Sequence, residues 1–402
     1  MIEQNNAINK LCWGIIYLIL VLVNIAYFPT IIGTPYYSIV TTCVAGLIIV
    51  YVLFNLRQFS YYFGKTIILL TAFYLMLSFI VALLFGVDNY FRQSSNYYLT
   101  ILCFSLGFLA PVPTRNNIII CISLFCVSAC IMGLYSIFRN IGGFIILDQY
   151  AILLKNSSSV LLATASFLSA YLASKMSTKI SKTLWIIIAI LCTSCLLVFR
   201  GRSSILGLII CVIVIFYKII FQKEYELYRI KLLYLCGAVI VFAMLGLIPI
   251  DFIIDALFKN KDINSFNDIS SGRGDMYKLA LQIFSEHPLG GTLGTNIELA
   301  SVDNFLINQI GRFGWIGIIS NVPFYIFIWF VTIKGIINVP VEYVYPFLAL
   351  LILCVVSFAE GSFPFGPGTP CVCAYILLGI FYNQNLQIDY RNEEWMSKIL
   401  QI

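Results

Sequence analysis

What this sequence lacks narrows it at once. Only 10% of its 402 residues are charged, against about 25% in soluble domains, which excludes a water-soluble globular body. There is one histidine, His287, so no histidine pair can hold a metal, and no His-Glu-x-x-His helix or carboxylate cluster replaces it. No P-loop and no dinucleotide fingerprint occurs, so a nucleotide-dependent site is not supported. Neither cofactor, metal nor nucleic-acid partner is expected. Most of the thirteen cysteines sit inside apolar runs, where a free thiol behaves as a small hydrophobe, so a disulfide framework is not expected either. Cys371 and Cys373 stand too close together for a zinc or redox pair. No small-residue cleavage site closes the first apolar run, which therefore reads as a span and not as a signal peptide.

What is present is apolar length. Hydrophobic residues make up 61% of the chain and the mean hydropathy is +0.96. A membrane span needs about 20 mostly apolar residues, and the sequence supplies about twelve such segments. They fall near 11–28, 36–56, 65–86, 98–113, 118–138, 159–174, 183–199, 203–221, 232–250, 313–333, 342–360 and 370–383. The fold class expected is all-α: a polytopic transmembrane bundle forming one domain over 1–402, with a large loop at 251–304 and a solvated tail at 384–402.

Charge alternates between connectors. Lys10, Arg57, Lys65, Arg115, Lys175, Lys179, Lys182, Lys218 and Lys334 fall on one side. Asp88, Arg92, Arg139, Asp148, Lys155, Arg200, Arg202, the long loop and Glu360 fall on the other. The richer Lys/Arg set marks the cytoplasm, which puts both termini inside and the long loop outside.

That loop has internal structure. Met276, Leu279, Ala280, Ile283 and Phe284 make one apolar stripe at helical spacing, the sign of an amphipathic helix on the membrane surface or on the bundle. Ser270, Ser271 and Gly272 precede it as a start signal, Asp275 suits its first turn, and His287-Pro288-Leu289-Gly290-Gly291 stops it.

The candidate functional residues lie in and around this loop. Arg200 and Arg202 end one span just before another helix begins, an arrangement that suits a phosphate, although an arginine there also serves as an interfacial anchor. Arg273 at the mouth of the loop helix reads as a ligand contact or a solvated surface arginine, and Arg312 at the entry to a span as either of these or as an interfacial anchor. Asp303, beside a low-dielectric boundary, suits a general base taking a proton from a sugar hydroxyl; Asp303 and Asn304 are equally good helix caps. His287 reads as a cap or packing contact, or as a catalyst. Glu360, at the outer end of a span, is a functional candidate by depth or a solvated interfacial acid.

Together these residues resemble a family. Arg273, then Ser285-Glu286-His287-Pro288-Leu289-Gly290-Gly291, Asp303-Asn304-Phe305-Leu306 and Gly311-Arg312-Phe313-Gly314-Trp315-Ile316-Gly317 resemble the signature region of the O-antigen polymerase and O-antigen ligase superfamily. Arg200-Gly201-Arg202-Ser203 looks like the arginine-bearing span end that precedes it. The motifs cover roughly 195–320, the rest matching by topology only. The resemblance implies a GT-C-like bundle in the bacterial inner membrane, with its large loop and active site facing the periplasm. It implies glycan transfer from undecaprenyl diphosphate to an acceptor sugar hydroxyl, without metal or nucleotide sugar. Arg200, Arg202 and Arg273 would neutralise the diphosphate, joined by Arg312 and Asn304 as binding residues. Asp303, Arg273, His287 and Glu360 would form the catalytic set. The implied partners are lipid-linked donor and acceptor glycans, membrane lipids and a chain-length regulator. In the ligases a histidine usually precedes the asparagine. Here that position is Asp303, which favours a polymerase of repeat units over a ligase acting on lipid A–core. A third reading, a transporter or flippase, suits the span count, but the two halves share no matching pattern.

Overall fold

Exposed isoleucines and buried serines give this bundle an inverted amphipathicity. The computed structural model describes residues 2–86, 90–139, 155–221, 273–293, 295, 299, 302–365 and 370–389. Among the described residues the chain is helical, with no strand. Its helices are α1 (Ile2–Ile25), α2 (Pro35–Phe54), α3 (Leu56–Phe85), α4 (Tyr90–Phe108), α5 (Arg115–Arg139) and α6 (Lys155–Lys175). They continue as α7 (Lys179–Phe199), α8 (Arg202–Phe221), α9 (Arg273–Glu286), α10 (Phe305–Asn338), α11 (Tyr345–Val356) and α12 (Val372–Asp389). Eight are long and apolar enough to cross a membrane. The span expected at 232–250 and the first part of the long loop lie outside the described residues.

Large apolar side chains such as Leu69 and Phe79 of α3, Ile213 of α8 and Phe330 of α10 point outward. Asn24, Ser159, Thr164, Ser169, Asn321 and Thr332 are buried. In lipid the apolar exterior costs nothing, while small and polar residues gather where helices touch. α6 holds the centre, packed by α5, α7, α8 and α11. Asn24 shows how the interior is tied: its amide donates to the Phe125 carbonyl at 3.1 Å and to Ser128 Oγ at 2.9 Å, joining α1 to α5. At the α4–α12 crossing a Cβ on Gly107 or on Gly379 would strike the facing backbone, so the two helices meet main chain to main chain.

Several expected spans change. The segment over 98–113 is helical from Tyr90 and stops at Phe108, before Pro111 and Pro113. The segment expected over 342–360 is a helix only across Tyr345–Val356, with every residue buried. At 1.5 Å per residue α11 is about 18 Å long, short of the roughly 30 Å hydrocarbon core. Its continuation as turns through Phe365 is tolerated where Ser357, Gly361, Phe363 and Phe365 are buried in protein. The span expected to enter at 313 begins at Phe305 and contains a break at Gly314.

The helix ends sort into two groups. At one end Arg115 donates to the Lys175 carbonyl at 3.0 Å, and Lys218 donates to the carbonyls of Ile336, Ile337 and Val339 where α10 ends. At the other, which we term the loop end, lie α9, the start of α10 and the turn between α7 and α8.

A candidate site at the loop end

The glycine-rich motifs clasp each other. Asn304 caps α10, its Oδ1 accepting from the Ile307 amide at 3.1 Å. Nine residues into α10 Gly314 adopts φ 55° and ψ −140°, which interrupts the helix. Such a break strips the Trp315 and Ile316 amides and the Gly311 and Arg312 carbonyls of their helical partners, and in an apolar setting each needs another. The loop supplies all of them. Trp315 N donates to the Pro288 carbonyl at 2.9 Å and Ile316 N to that of Leu289 at 3.3 Å. Thr292 donates through its amide to Gly311 O at 3.1 Å and through its hydroxyl to Arg312 O at 3.3 Å. A Cβ on Gly314 would lie 2.8 Å from Gly291 N, and one on Gly311 would lie 2.8 Å from the Ala280 Cβ. Glycine is required for backbones to approach this closely.

This clasp fixes α9, whose Ala280 and Ile283 are buried with Leu299 and Val302. At the other end of α9 stands Arg273. Its Nε lies 2.8 Å from Asp303 Oδ2 and its Nη2 lies 3.9 Å from Glu360 Oε1. All three side chains remain partly reachable, at 29%, 33% and 15% exposed. Tyr277, one turn along α9, donates its hydroxyl to the Asp303 carbonyl at 3.0 Å. Burial pushes that phenol up, with Asp303 and Glu360 adding to the effect and Arg273 opposing it. It therefore stays a protonated donor at neutral pH.

Glu360 is delivered by the turn after α11. The Phe305 amide donates to Ser357 O at 2.9 Å, Asn304 Nδ2 to Phe358 O at 3.2 Å and Asn308 Nδ2 to Gly361 O at 3.2 Å. Three bonds from the first turn of α10 thus hold this turn beside Asp303. Asn156, at the start of α6, donates to Glu360 Oε1.

One turn further along, α6 receives the turn that carries the arginine pair. Arg200 caps α7 in the left-handed conformation, φ 50°, and is the one non-glycine residue with positive φ among the described residues. A side chain there costs about 1–2 kcal/mol, so the surrounding structure must impose it. Gly201 lies directly on Ser159 of α6, where a Cβ would collide. The turn carrying Arg200 and Arg202 therefore abuts the helix start that bonds Glu360. One corner gathers Arg273 and two carboxylates, and the turn that carries Arg200 and Arg202 packs on α6 next to it.

Of the residues picked out in the sequence, Arg273, Asp303, Asn304 and Glu360 meet at this corner, while Arg200 and Arg202 flank Gly201, which packs on Ser159 of α6. His287 and Arg312 do not join them. His287 is exposed beyond the opposite end of α9, about 20 Å away along the helix. Arg312 is exposed beside the clasp, nine residues into the chain from Asp303. Asn156 and Tyr277 are additions that sequence reasoning missed; the only sign of Asn156 is a polar run, Asn156 to Ser159, at the head of an apolar segment. Among the described residues no three His, Cys, Asp or Glu side chains gather as metal ligands; Asp303 and Glu360 instead share Arg273.

No curated protein matches the chain. A family model described as O-antigen ligase matches residues 187–319. That stretch runs from α7 through the arginine turn, α9, Asp303 and the Gly314 break, so it carries most of the corner just described. Family members are glycosyltransferase-like enzymes that act on lipid-linked glycans in surface polysaccharide biosynthesis. Over that third of its length this polytopic membrane protein is similar to the O-antigen ligase family.

Proposed function

We propose that the protein is a polymerase that joins undecaprenyl-diphosphate-linked repeat units into O-antigen or a similar surface polysaccharide. The observation that carries this reading is the grip of Arg273 on Asp303, with Glu360 beside it and the Arg200–Arg202 turn against the same corner. The acceptor hydroxyl oxygen attacks the anomeric carbon of the donor sugar and passes its proton to Asp303. The bond from that carbon to the diphosphate oxygen breaks, and the electron pair leaves with undecaprenyl diphosphate. Arg200 and Arg202 receive the growing charge on the diphosphate, the electrostatic term that usually dominates such catalysis. Arg273 holds the base through Nε and adds its charge to theirs. Glu360, anchored by Asn156, takes a hydroxyl of the acceptor sugar. His287 and Arg312 stand apart from this chemistry.

The protein sits in the bacterial inner membrane with both termini in the cytoplasm and the corner facing the periplasm. The support is the distribution of Lys10, Arg57, Arg115, Lys175, Lys218 and Lys334 at the far end of the helices. A chain-length regulator is the further partner of such an enzyme. The ligase reading is second: the family model bears that description, whereas the position before Asn304 holds Asp303 and not the histidine usual in ligases.

The deciding experiment is incubation of purified protein with synthetic lipid-diphosphate repeat units. Dimers and longer products are expected. Transfer only onto lipid A–core identifies the ligase, and uptake into liposomes with no glycosidic bond formed identifies a transporter.

A further inference from the structure

The lipid-facing surface of α10 does not stop where the span does. Trp315, Ile319, Ile326, Phe330, Ile333 and Ile337 are each about half exposed or more, and at 100° per residue they fall within about 60° of one another. This is the stripe that α10 turns to the hydrocarbon. At its loop end the Phe284 ring of α9 lies 5.9 Å from the Trp315 ring. The Leu289 carbonyl bonds the Ile316 amide, which seats exposed Leu289 on the same edge. Leu281, one turn before Phe284 on α9, is 51% exposed.

α9 therefore differs from the single-striped helix its sequence suggests. Met276, Ala280 and Ile283 face the bundle. Asp275, Lys278, Gln282 and Ser285 form an exposed polar face. Leu281 and Phe284 form a second apolar face, which leaves the bundle to continue the stripe of α10, while Leu279 of the expected stripe is exposed on the polar side. A face continuous with lipid-exposed surface, edged by a tryptophan, has the character of an interfacial anchor.

We infer that α9 is seated in the outer boundary of the phospholipid bilayer, with Leu281, Phe284, Leu289 and Trp315 immersed at the level where headgroups meet acyl chains. Exposed Arg312, three residues before Trp315, meets phospholipid phosphates there. The partner is the bilayer itself and not the lipid-linked substrate. The contact stands independently of the proposed glycosyl transfer. Its consequence for that reaction rests on the proposed function: a helix lying at the phosphate plane holds Arg273, at its other end, at the depth of a lipid-borne diphosphate.

The test places a photo-crosslinking amino acid at 281, 289, 278 or 282 of the full chain, reconstituted in nanodiscs of phosphatidylethanolamine and phosphatidylglycerol with no polyprenyl lipid. Phospholipid adducts are expected at 281 and 289, at least fivefold above 278 and 282. Equal yields at all four sites, or adducts to protein alone at 281 and 289, overturn the proposal. In native mass spectrometry, Arg312→Gln is expected to retain at least twofold less phosphatidylglycerol than the parent; unchanged retention overturns the phosphate contact. Lipid adducts at 281 and 289 in a protein that forms no glycosidic bond would refute the polymerase reading and leave this inference standing.

Discussion

Two cations, at opposite ends of the bundle, illustrate what a charge does in this protein. Lys218, at the far end, is 4% exposed, and its three ammonium protons meet the carbonyls of Ile336, Ile337 and Val339. Those are carbonyls of the last turn and the C-cap of α10, where a cation also complements the helix dipole. Its hydrogen bonds are saturated, so the lysine is a structural cap. Arg273, at the loop end, is partly exposed and shares one guanidinium between two carboxylates that come from distant parts of the chain. Its partners are titratable and reachable. One cation closes a helix; the other organises a partly exposed corner.

The comparison breaks first at Arg273. Arg273→Ala is expected to lower glycosyl transfer by about 10²–10³-fold, the scale of removing one preorganised charge from a reacting centre, while the protein still inserts. Chain-length ladders normalised to membrane-extracted protein measure it, and a normal ladder removes the corner from the mechanism. Gly314→Ala comes next. A side chain at φ 55° that also meets Gly291 N costs about 3 kcal/mol and loosens the clasp. Faster proteolysis in the 273–300 region together with lost activity is the expected result; unchanged protection would mean the clasp does not hold α9.

Lys218→Met sharpens the contrast from the other end. It leaves carbonyls buried without donors, at about 1–3 kcal/mol, and is expected to lower the thermal midpoint while leaving KM unaltered in the protein that remains folded. A changed KM would mean the far end communicates with the site. The smallest effect belongs to Tyr277→Phe, which deletes the bond to the Asp303 carbonyl. About 1 kcal/mol is expected, read as roughly a fivefold fall in turnover with little change in stability.

The sequence made the helical, membrane-spanning class and most helix positions legible, because apolar length and proline placement act locally. It started the span of α10 at 313, eight residues late, for an identifiable reason. Asn308, Gln309 and the glycines interrupt the apolar run, yet Gln309 and Asn321 are buried and pair across the break, Nδ2 of Asn321 donating to Oε1 of Gln309 at 2.8 Å. Tyr74 of α3 donates to Asn321 Oδ1 at 3.2 Å. Polar residues that satisfy one another inside a bundle look the same in sequence as polar residues facing water.

The candidate site divides along the same line. Composition and local spacing were sufficient to single out the arginines, Asp303 and Glu360, because charge is scarce in an apolar chain and stands out where it occurs. Which of them meet was decided only by tertiary structure. Asn156 and Glu360 are 204 positions apart, and no local period or propensity connects residues at such separation. Whether His287 stood at the corner or apart from it likewise depended on which end of α9 the clasp turned toward the corner. A helix specifies its own faces through the order of its residues; what each face meets is set by the rest of the chain packing around it.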